Sequence, residues 1–453
     1  MPRVRRVRGE ALLALTLLNI FVLVTGVVAL DVLEAGPLPS TPHPVTDAKG
    51  AASVESAVSS PADPERIADA LDDPMSESGL EEGLSGFVVD GMTGEPLFDR
   101  DAESPAVPAS TTKIVTAVAA LSVLGPDHVL STEVYLEPEA DRIVLRGSGD
   151  AMLTTDTDPE VYPRRATLEE LAERTAEALA EEEITSVSLG YDDSLFTGSE
   201  TGPGWKPNYV TEGSTAPVHA LLIDGGRVDP DVSTRAPDPP LAAAEAFIQK
   251  LEEAGVSVEG DPSKTQISGE AIAKVDSPPV STLVEFMMLA SDNNMAESLG
   301  RALALEKGEE ASFDGAAEAT QHVMDELRIE GVQIFDNSGL STKNRITPRA
   351  LVELVELAGD PEHPELNATV TGLPTAHSTG TLAGRYSEFS PAHGGAGLVR
   401  GKTGTLEDVS SLAGTVHDQE GNVFVYAFMA NTPGADGPQL DLLAATLSRC
   451  GCS

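Results

Sequence analysis

Ser110 and Lys113 stand three residues apart in Pro108-Ala109-Ser110-Thr111-Thr112-Lys113, at the head of the apolar run Ile114 to Leu121. On a helix that spacing puts a hydroxyl and an amine on one face, a turn apart. A serine hydroxyl attacks poorly until a base takes its proton. Lysine is such a base only when burial or a second cation lowers its pKa. Ser110 also falls at the helix start, where unpaired N–H groups and the macrodipole favour developing negative charge. The S-x-x-K pattern is short and common in ordinary helices, so its meaning rests on what accompanies it.

Two further groups accompany it. Ser291 and Asn293, in Ser291-Asp292-Asn293-Asn294, lie between two helical stretches. At i,i+2 they cannot share a helix face, but a loop between helices lets them converge. Ser291 suits proton relay, and Asn293 offers a substrate amide both a donor and an acceptor. Lys402-Thr403-Gly404-Thr405 reads as a strand. Lys402 supplies a positive charge that favours a neutral Lys113 and attracts a carboxylate. Thr403 adds a hydroxyl for the same carboxylate, and Gly404 leaves no side chain where a substrate backbone must lie. Taken singly these residues have plain structural explanations: Ser291-Asp292 as a helix cap, Lys402 as a surface lysine. Taken together, S-x-x-K, S-x-N and K-T-G in this order are the motif set of the penicillin-recognising serine enzymes.

The resemblance narrows further. The hairpin before Ser110, Gly147-Ser148-Gly149-Asp150, the run DNSGLSTKNR from Asp336 to Arg345, and TGTLAGR around Gly380-Thr381-Leu382 resemble the D-alanyl-D-alanine carboxypeptidase/endopeptidase family of low-molecular-mass class C penicillin-binding proteins. It implies an α+β, serine β-lactamase/transpeptidase-like fold: an antiparallel sheet with flanking helices, a helical lobe and an inserted domain. The implied activity is D-Ala-D-Ala carboxypeptidase, with endopeptidase action on cross-links, through a Ser110 acyl-enzyme. Lys113 is the implied base and Ser291 the relay. Asn293, Lys402, Thr403, Gly404 and Thr405 bind substrate, and the backbone N–H groups of Ser110 and Thr405 form the oxyanion hole. The partners implied are a stem peptide ending in D-Ala-D-Ala and β-lactam inhibitors, with no cofactor and no metal. A serine β-lactamase on the same fold, and a penicillin-binding sensor that does not turn over, are the alternatives.

The elements that must position these residues follow from pattern. Arg3, Arg5, Arg6 and Arg8 precede the apolar run Ala11–Leu30. This is long enough to span a bilayer, and residues 1–30 read as a membrane anchor or a signal peptide, the length favouring the anchor. Either places the rest of the chain outside the cytoplasm, in the cell envelope. Residues 31–61 form an acidic Pro/Ser-rich spacer. Residues 62–130 and 279–453 read as the catalytic domain. Its elements are a helix at Pro64–Leu71, the hairpin Gly86–Phe98, helices at 281–290, 295–305, 313–327 and 348–357, strands at 398–405, 410–416 and 423–430, and a closing helix from Gln439. Residues 131–278 read as an inserted α/β region, with strands at 131–136, 142–145, 187–189 and 218–223 and a helix at 241–254.

Composition sets the exclusions. Lys and Arg number 29 against 73 Asp and Glu, a net charge of −44, which rules out nucleic-acid binding. Cys450 and Cys452 are too close for an easy bridge and too few for a zinc site. Ala396 to Thr403 nearly spells a P-loop, but Ala396 stands where glycine is required and a strand follows where a helix must open, so nucleotide binding is rejected.

Overall fold

The computed structural model describes residues 62–449, apart from residues 81, 138–140, 159–160 and 230–231. The expected anchor or signal segment, the spacer to residue 61 and both cysteines lie outside the described residues. Among the described residues no helix is long and apolar enough to cross a membrane.

The chain opens with α1, Pro64–Ser78, capped by Asp63, whose side chain accepts from the Glu65 N–H. It runs past Leu71, the expected end, because Ile67, Leu71 and Met75 form one buried stripe. Strands β1, Leu84–Asp90, and β2, Pro96–Arg100, make the expected hairpin. Asp90 fastens the turn by accepting from the N–H groups of Met92 and Thr93. Helix α2, Thr112–Leu124, follows a short 3-10 turn, Ala109–Thr111, and is buried on nearly every side.

Strands β3, Ser131–Glu137, and β4, Arg142–Arg146, lead to helix α3, Leu168–Glu181, and strand β5, Ser186–Asp192. Helix α4, Pro239–Glu253, precedes the short strands β6, Ser257–Val258, and β7, Ser263–Lys264, and then β8, Glu270–Asp276. These strands form their own mixed sheet in the order β6-β5-β4-β3-β8, with β7 also on β5. Val134, Ile143, Leu145, Leu171, Phe247 and Leu251 give it its own core. Residues 218–223, expected as a strand, are not one. They run buried and irregular, and the Ala220 carbonyl accepts from Gly149 N–H at 2.7 Å. An apolar run signals burial, and burial here comes without a ladder.

Helices α5, Val280–Ala290, α6, Asn293–Lys307, and α7, Phe313–Leu327, come next. The two-residue strands β9, Val332–Gln333, and β10, Arg345–Ile346, pair across the intervening loop. Helix α8, Pro348–Gly359, and the single turn α9, Ala368–Thr371, precede strands β11, Val399–Leu406, β12, Val409–His417, and β13, Val423–Asn431. Helix α10, Gly437–Leu447, closes the described chain.

The main sheet is antiparallel, in the order β11-β12-β13-β1-β2. No strand of residues 131–278 enters it. Its faces follow from period-two alternation. Phe87, Val89, Val425, Ala427 and Met429 face a core shared with α2, α5, α6, α7 and α8. Val88, Phe424, Tyr426 and Phe428 face α1 and α10. With both faces covered, β13 reads as an unbroken apolar run and sits at the centre. Ala151, Met152 and Leu222 of the 131–278 block join the first of these cores rather than their own.

Candidate active site

The Ser110 turn is strained and clamped. Ala109 has φ 49°, a left-handed conformation that costs a residue with a side chain of order 1 kcal/mol or more. Three hydroxyls hold the turn: Thr112 Oγ1 donates to Ala109 O at 2.9 Å, Thr111 Oγ1 to Pro108 O at 2.7 Å, and Ser411 Oγ to Pro108 O at 2.5 Å. Two glycines allow neighbours to close on it. A Cβ on Gly339, at φ +86°, would stand 1.9 Å from Ala109 O. A Cβ on Gly404 would stand 2.2 Å from Ser411 Oγ, 2.5 Å from Pro108 O and 3.0 Å from Ser110 N. Gly404 therefore has a packing reason to be glycine, besides the room for substrate that the sequence suggested.

Lys113 is fully buried. Its Nζ donates to Asn293 Oδ1 at 2.6 Å and to Ser338 O at 2.7 Å, and stands 3.1 Å from Ser110 Oγ. Asn293 Nδ2 donates to Ser214 O at 2.8 Å, which turns the amide oxygen toward the lysine. Burial lowers the Lys113 pKa to about 8, against the opposing charges of Asp292, Asp336 and Glu297. A neutral amine has two N–H groups and one lone pair. The carbonyl acceptors take the two N–H groups, and the lone pair is left for the Ser110 hydroxyl.

Ser291 and Asn293 converge because the chain turns sharply between α5 and α6. Ser291 ends α5 in the left-handed conformation, φ 57°, and Asp292 caps α6 by accepting from Met295 N–H at 2.8 Å. Lys402, on β11, is fully buried rather than exposed. Its Nζ donates to Ser291 Oγ at 2.8 Å and to Thr403 O at 2.9 Å. Burial, and then the nearby Lys113, push its pKa well below the usual value. The two amines cannot both be comfortably charged. Thr403 Oγ1 lies 2.9 Å from Thr381 Oγ1.

Strand β11 is an edge of the main sheet. Its Gly401 N–H points away from β12, to Pro374 O at 2.9 Å. Alternation turns the Thr403 and Thr405 N–H groups to that same open side, next to the Ser110 turn. The structure thus brings Ser110, Lys113, Ser291, Asn293, Lys402, Thr403, Gly404 and Thr405 to one cleft.

Several residues of the site were given no role from sequence, although the run from Asp336 to Arg345 carried part of the resemblance. The Ser338 carbonyl is the second acceptor of Lys113, and Glu297 Oε1 holds that peptide by accepting from Asn337 N–H at 3.1 Å and Ser338 N–H at 2.8 Å. Asp336, wholly buried, accepts from Gly339 N–H, Ser341 N–H, Asn344 Nδ2 and Trp205 Nε1 at 2.7–3.0 Å. Burial and the neighbouring Asp336 raise the Glu297 pKa to about 7. The available signal was the density of Asp, Asn and Ser in a turn-rich run between two apolar helices. Among the described residues no group of three or more His, Cys, Asp or Glu is placed to hold a metal ion. Gly404→Ala should cost about 1–3 kcal/mol of stability through overpacking, checked by chemical denaturation; an unchanged midpoint would show that the turn has room to move.

The pattern of the D-Ala-D-Ala carboxypeptidase 3 (S13) family matches residues 67–243 and 231–445. Carboxypeptidase DacB of Mycolicibacterium smegmatis is 35% identical over 435 residues, 93% of this chain and 92% of that protein. The D-alanyl-D-alanine carboxypeptidase of an Actinomadura strain is 28% identical, over 81% of each chain. The crystal structure of penicillin binding protein 4 from Haemophilus influenzae matches with a TM-score of 0.67 at 22% identity, covering 83% of this chain and 98% of that one. The fold is therefore the α+β, transpeptidase-like one that the motifs implied. The length of the family match and the identity to the mycobacterial relative place this chain in the D-Ala-D-Ala carboxypeptidase 3 (S13) family of hydrolases.

Proposed function

We propose that the chain is a serine-type D-Ala-D-Ala carboxypeptidase of peptidoglycan stem peptides, working through an acyl-enzyme on Ser110. The observation that carries this is the Lys113 amine, buried, held by two carbonyl acceptors and 3.1 Å from the Ser110 hydroxyl. Ser110 Oγ attacks the carbonyl of the penultimate D-Ala as Lys113 takes its proton. The Ser110 and Thr405 N–H groups receive the developing oxyanion. The bond to the terminal D-Ala breaks, and its amine takes a proton passed through Ser291. Water then cleaves the ester, releasing the shortened peptide and restoring Ser110. Where the leaving amine belongs to a neighbouring stem, the same steps open a cross-link, which is the endopeptidase reaction.

Lys402 and Thr403 bind the substrate's terminal carboxylate. That anion draws the shared charge onto Lys402 and leaves Lys113 neutral when it must act as base. Asn293 keeps one Nδ2–H beyond its bond to Ser214 for a substrate carbonyl. A serine β-lactamase on this fold needs an efficient base for the deacylating water, and a carboxylate is the first candidate. Glu297 and Asp336 are the buried acids near Lys113, and backbone N–H groups occupy both. That favours the carboxypeptidase and a long-lived penicilloyl ester. The penicillin binding protein 4 of Haemophilus influenzae has been solved with a β-lactam, which supports such ligands here. The arginine-flanked apolar run supports an extracytoplasmic site of action, with membrane attachment if that run is retained.

A fluorescent penicillin should label the protein for minutes or longer. Labelling should vanish in Ser110→Ala, fall steeply in Lys113→Ala and be slowed in Ser291→Ala; equal labelling of wild type and Ser110→Ala would overturn the mechanism. The acylation rate should rise with pH and level off near pH 8, because neutral Lys113 is the active form and its pKa is about 8. Lys402→Ala should lower kcat/KM on a D-Ala-D-Ala peptide roughly ten- to hundredfold, the worth of a charge-assisted bond of about 1.5–3 kcal/mol; unchanged efficiency would exclude the carboxylate role. A reporter fused after Ser453 should be active outside the cytoplasm, and activity confined to the cytoplasm would refute the export.

A further inference from the structure

The segment from Pro203 to Ala216 belongs to the 131–278 block, yet several of its polar atoms bond to the catalytic lobe. Pro203 O accepts from Ser341 Oγ at 2.6 Å. Trp205 Nε1 donates to Asp336 Oδ2 at 2.7 Å, and its ring meets Phe313 of α7 edge-on at 5.3 Å. Ser214 O accepts from Asn293 Nδ2 at 2.8 Å. Asn294 grips the next peptide on both sides: its Oδ1 accepts from Ala216 N–H at 2.9 Å and its Nδ2 donates to Ala216 O at 3.2 Å. Lys206 pairs with Glu407 just beyond β11 at 2.6 Å, an exposed contact of little energetic weight.

The two ends of this segment grip the two groups that hold Lys113. Asn293 carries one acceptor. The Asp336–Ser341 loop carries the other, Ser338 O, and Asp336 organises that loop through Ser338 Oγ, Gly339 N–H and Ser341 N–H. We propose that Pro203–Ala216 is a positioning strap: by fixing Asn293 and the Asp336–Ser341 loop together, it aims the Lys113 lone pair at Ser110. The strap rests on the acyl-enzyme reading. Trp205 and Asn294 act through the groups that hold Lys113, so loosening either should slow acylation more than it weakens initial binding.

The test uses the full chain and a fluorescent penicillin, separating the limiting acylation rate from the binding that precedes it. Trp205→Phe keeps the ring on Phe313 and removes the donor to Asp336. Asn294→Ala removes the grip on Ala216. Each should lower the limiting rate about tenfold, the size of one lost bond to a charged or buried partner, with a smaller change in binding. The charged groups acting on Lys113 are Asp292, Asp336 and Glu297, and Lys113 in turn lowers the Lys402 pKa. In Trp205→Phe, Asp336 loses a donor and holds the Lys113 proton more tightly, so the acid limb of the acylation profile should move to higher pH. Trp205 is the one tryptophan in the chain, so its emission in Asn294→Ala should move to the red as the strap loosens. Folded variants that acylate at the wild-type rate, with an unmoved pH limb and unmoved emission, would overturn the strap alone. If one variant fails to fold, the other decides. A wild type that takes no label at Ser110 would overturn the acyl-enzyme reading and the strap with it.

Discussion

An ammonium group buried without a carboxylate in contact is expensive, and the catalytic lobe is arranged around one whose pKa burial lowers to about 8. Lys113 touches a serine hydroxyl, an amide oxygen and a peptide carbonyl. The three acids that feel its charge, Asp292, Asp336 and Glu297, are each engaged elsewhere: one caps α6 and two hold backbone N–H groups. Direct contact with any of them would stabilise the charged form and remove the base. At a distance they only limit how far burial drives the pKa down. The second buried amine, Lys402, has its own pKa lowered by burial and then by the nearby Lys113.

Part of the fold's backbone strain lies around this arrangement. Ala109 in a left-handed conformation, glycines at 339 and 404 where a Cβ would collide, and a left-handed Ser291 all lie within the cleft. Each brings backbone closer than side chains permit. The main sheet, covered on both faces, supplies the rigid support. The 131–278 block has its own sheet and core, but its Ser214 carbonyl decides which way Asn293 faces. It is separate in its packing and joined to the site in its hydrogen bonds.

The legible part of the molecule was the part written in periodicity and in short motifs. Helices α5 to α8 show a 3.6-residue apolar repeat, and β11 to β13 with the β1–β2 hairpin show strand-like runs, so their existence and type were readable. Ser110, Lys113, Ser291, Asn293 and Lys402 were readable because hydroxyl, amine and amide recur in a known order. Ser338 was not, because its part is played by a backbone carbonyl, and any residue type carries one. Glu297 was not, because an acid in mid-helix looks like a solvated face until α7 and the Asn337–Ser338 peptide are seen to bury it. Residues 218–223 misled because burial alone makes a sequence apolar. Met75 extended α1 past its expected end because the chain it packs against comes from far along the sequence.

The net charge of −44 conflicts with two buried amines in the site only if electrostatics is imagined to act over the whole molecule. In physiological salt the field of exposed acids fades within about 8 Å, while two fully buried lysines are hardly screened. Repulsion at long range slows every anion alike. The acidic surface thus acts on whatever approaches, while the buried pair acts only on a group that reaches it. Fully buried Lys113 and Lys402, in contact with Ser291, Asn293 and the Ser338 peptide, are kept from the screening that weakens every exposed charge.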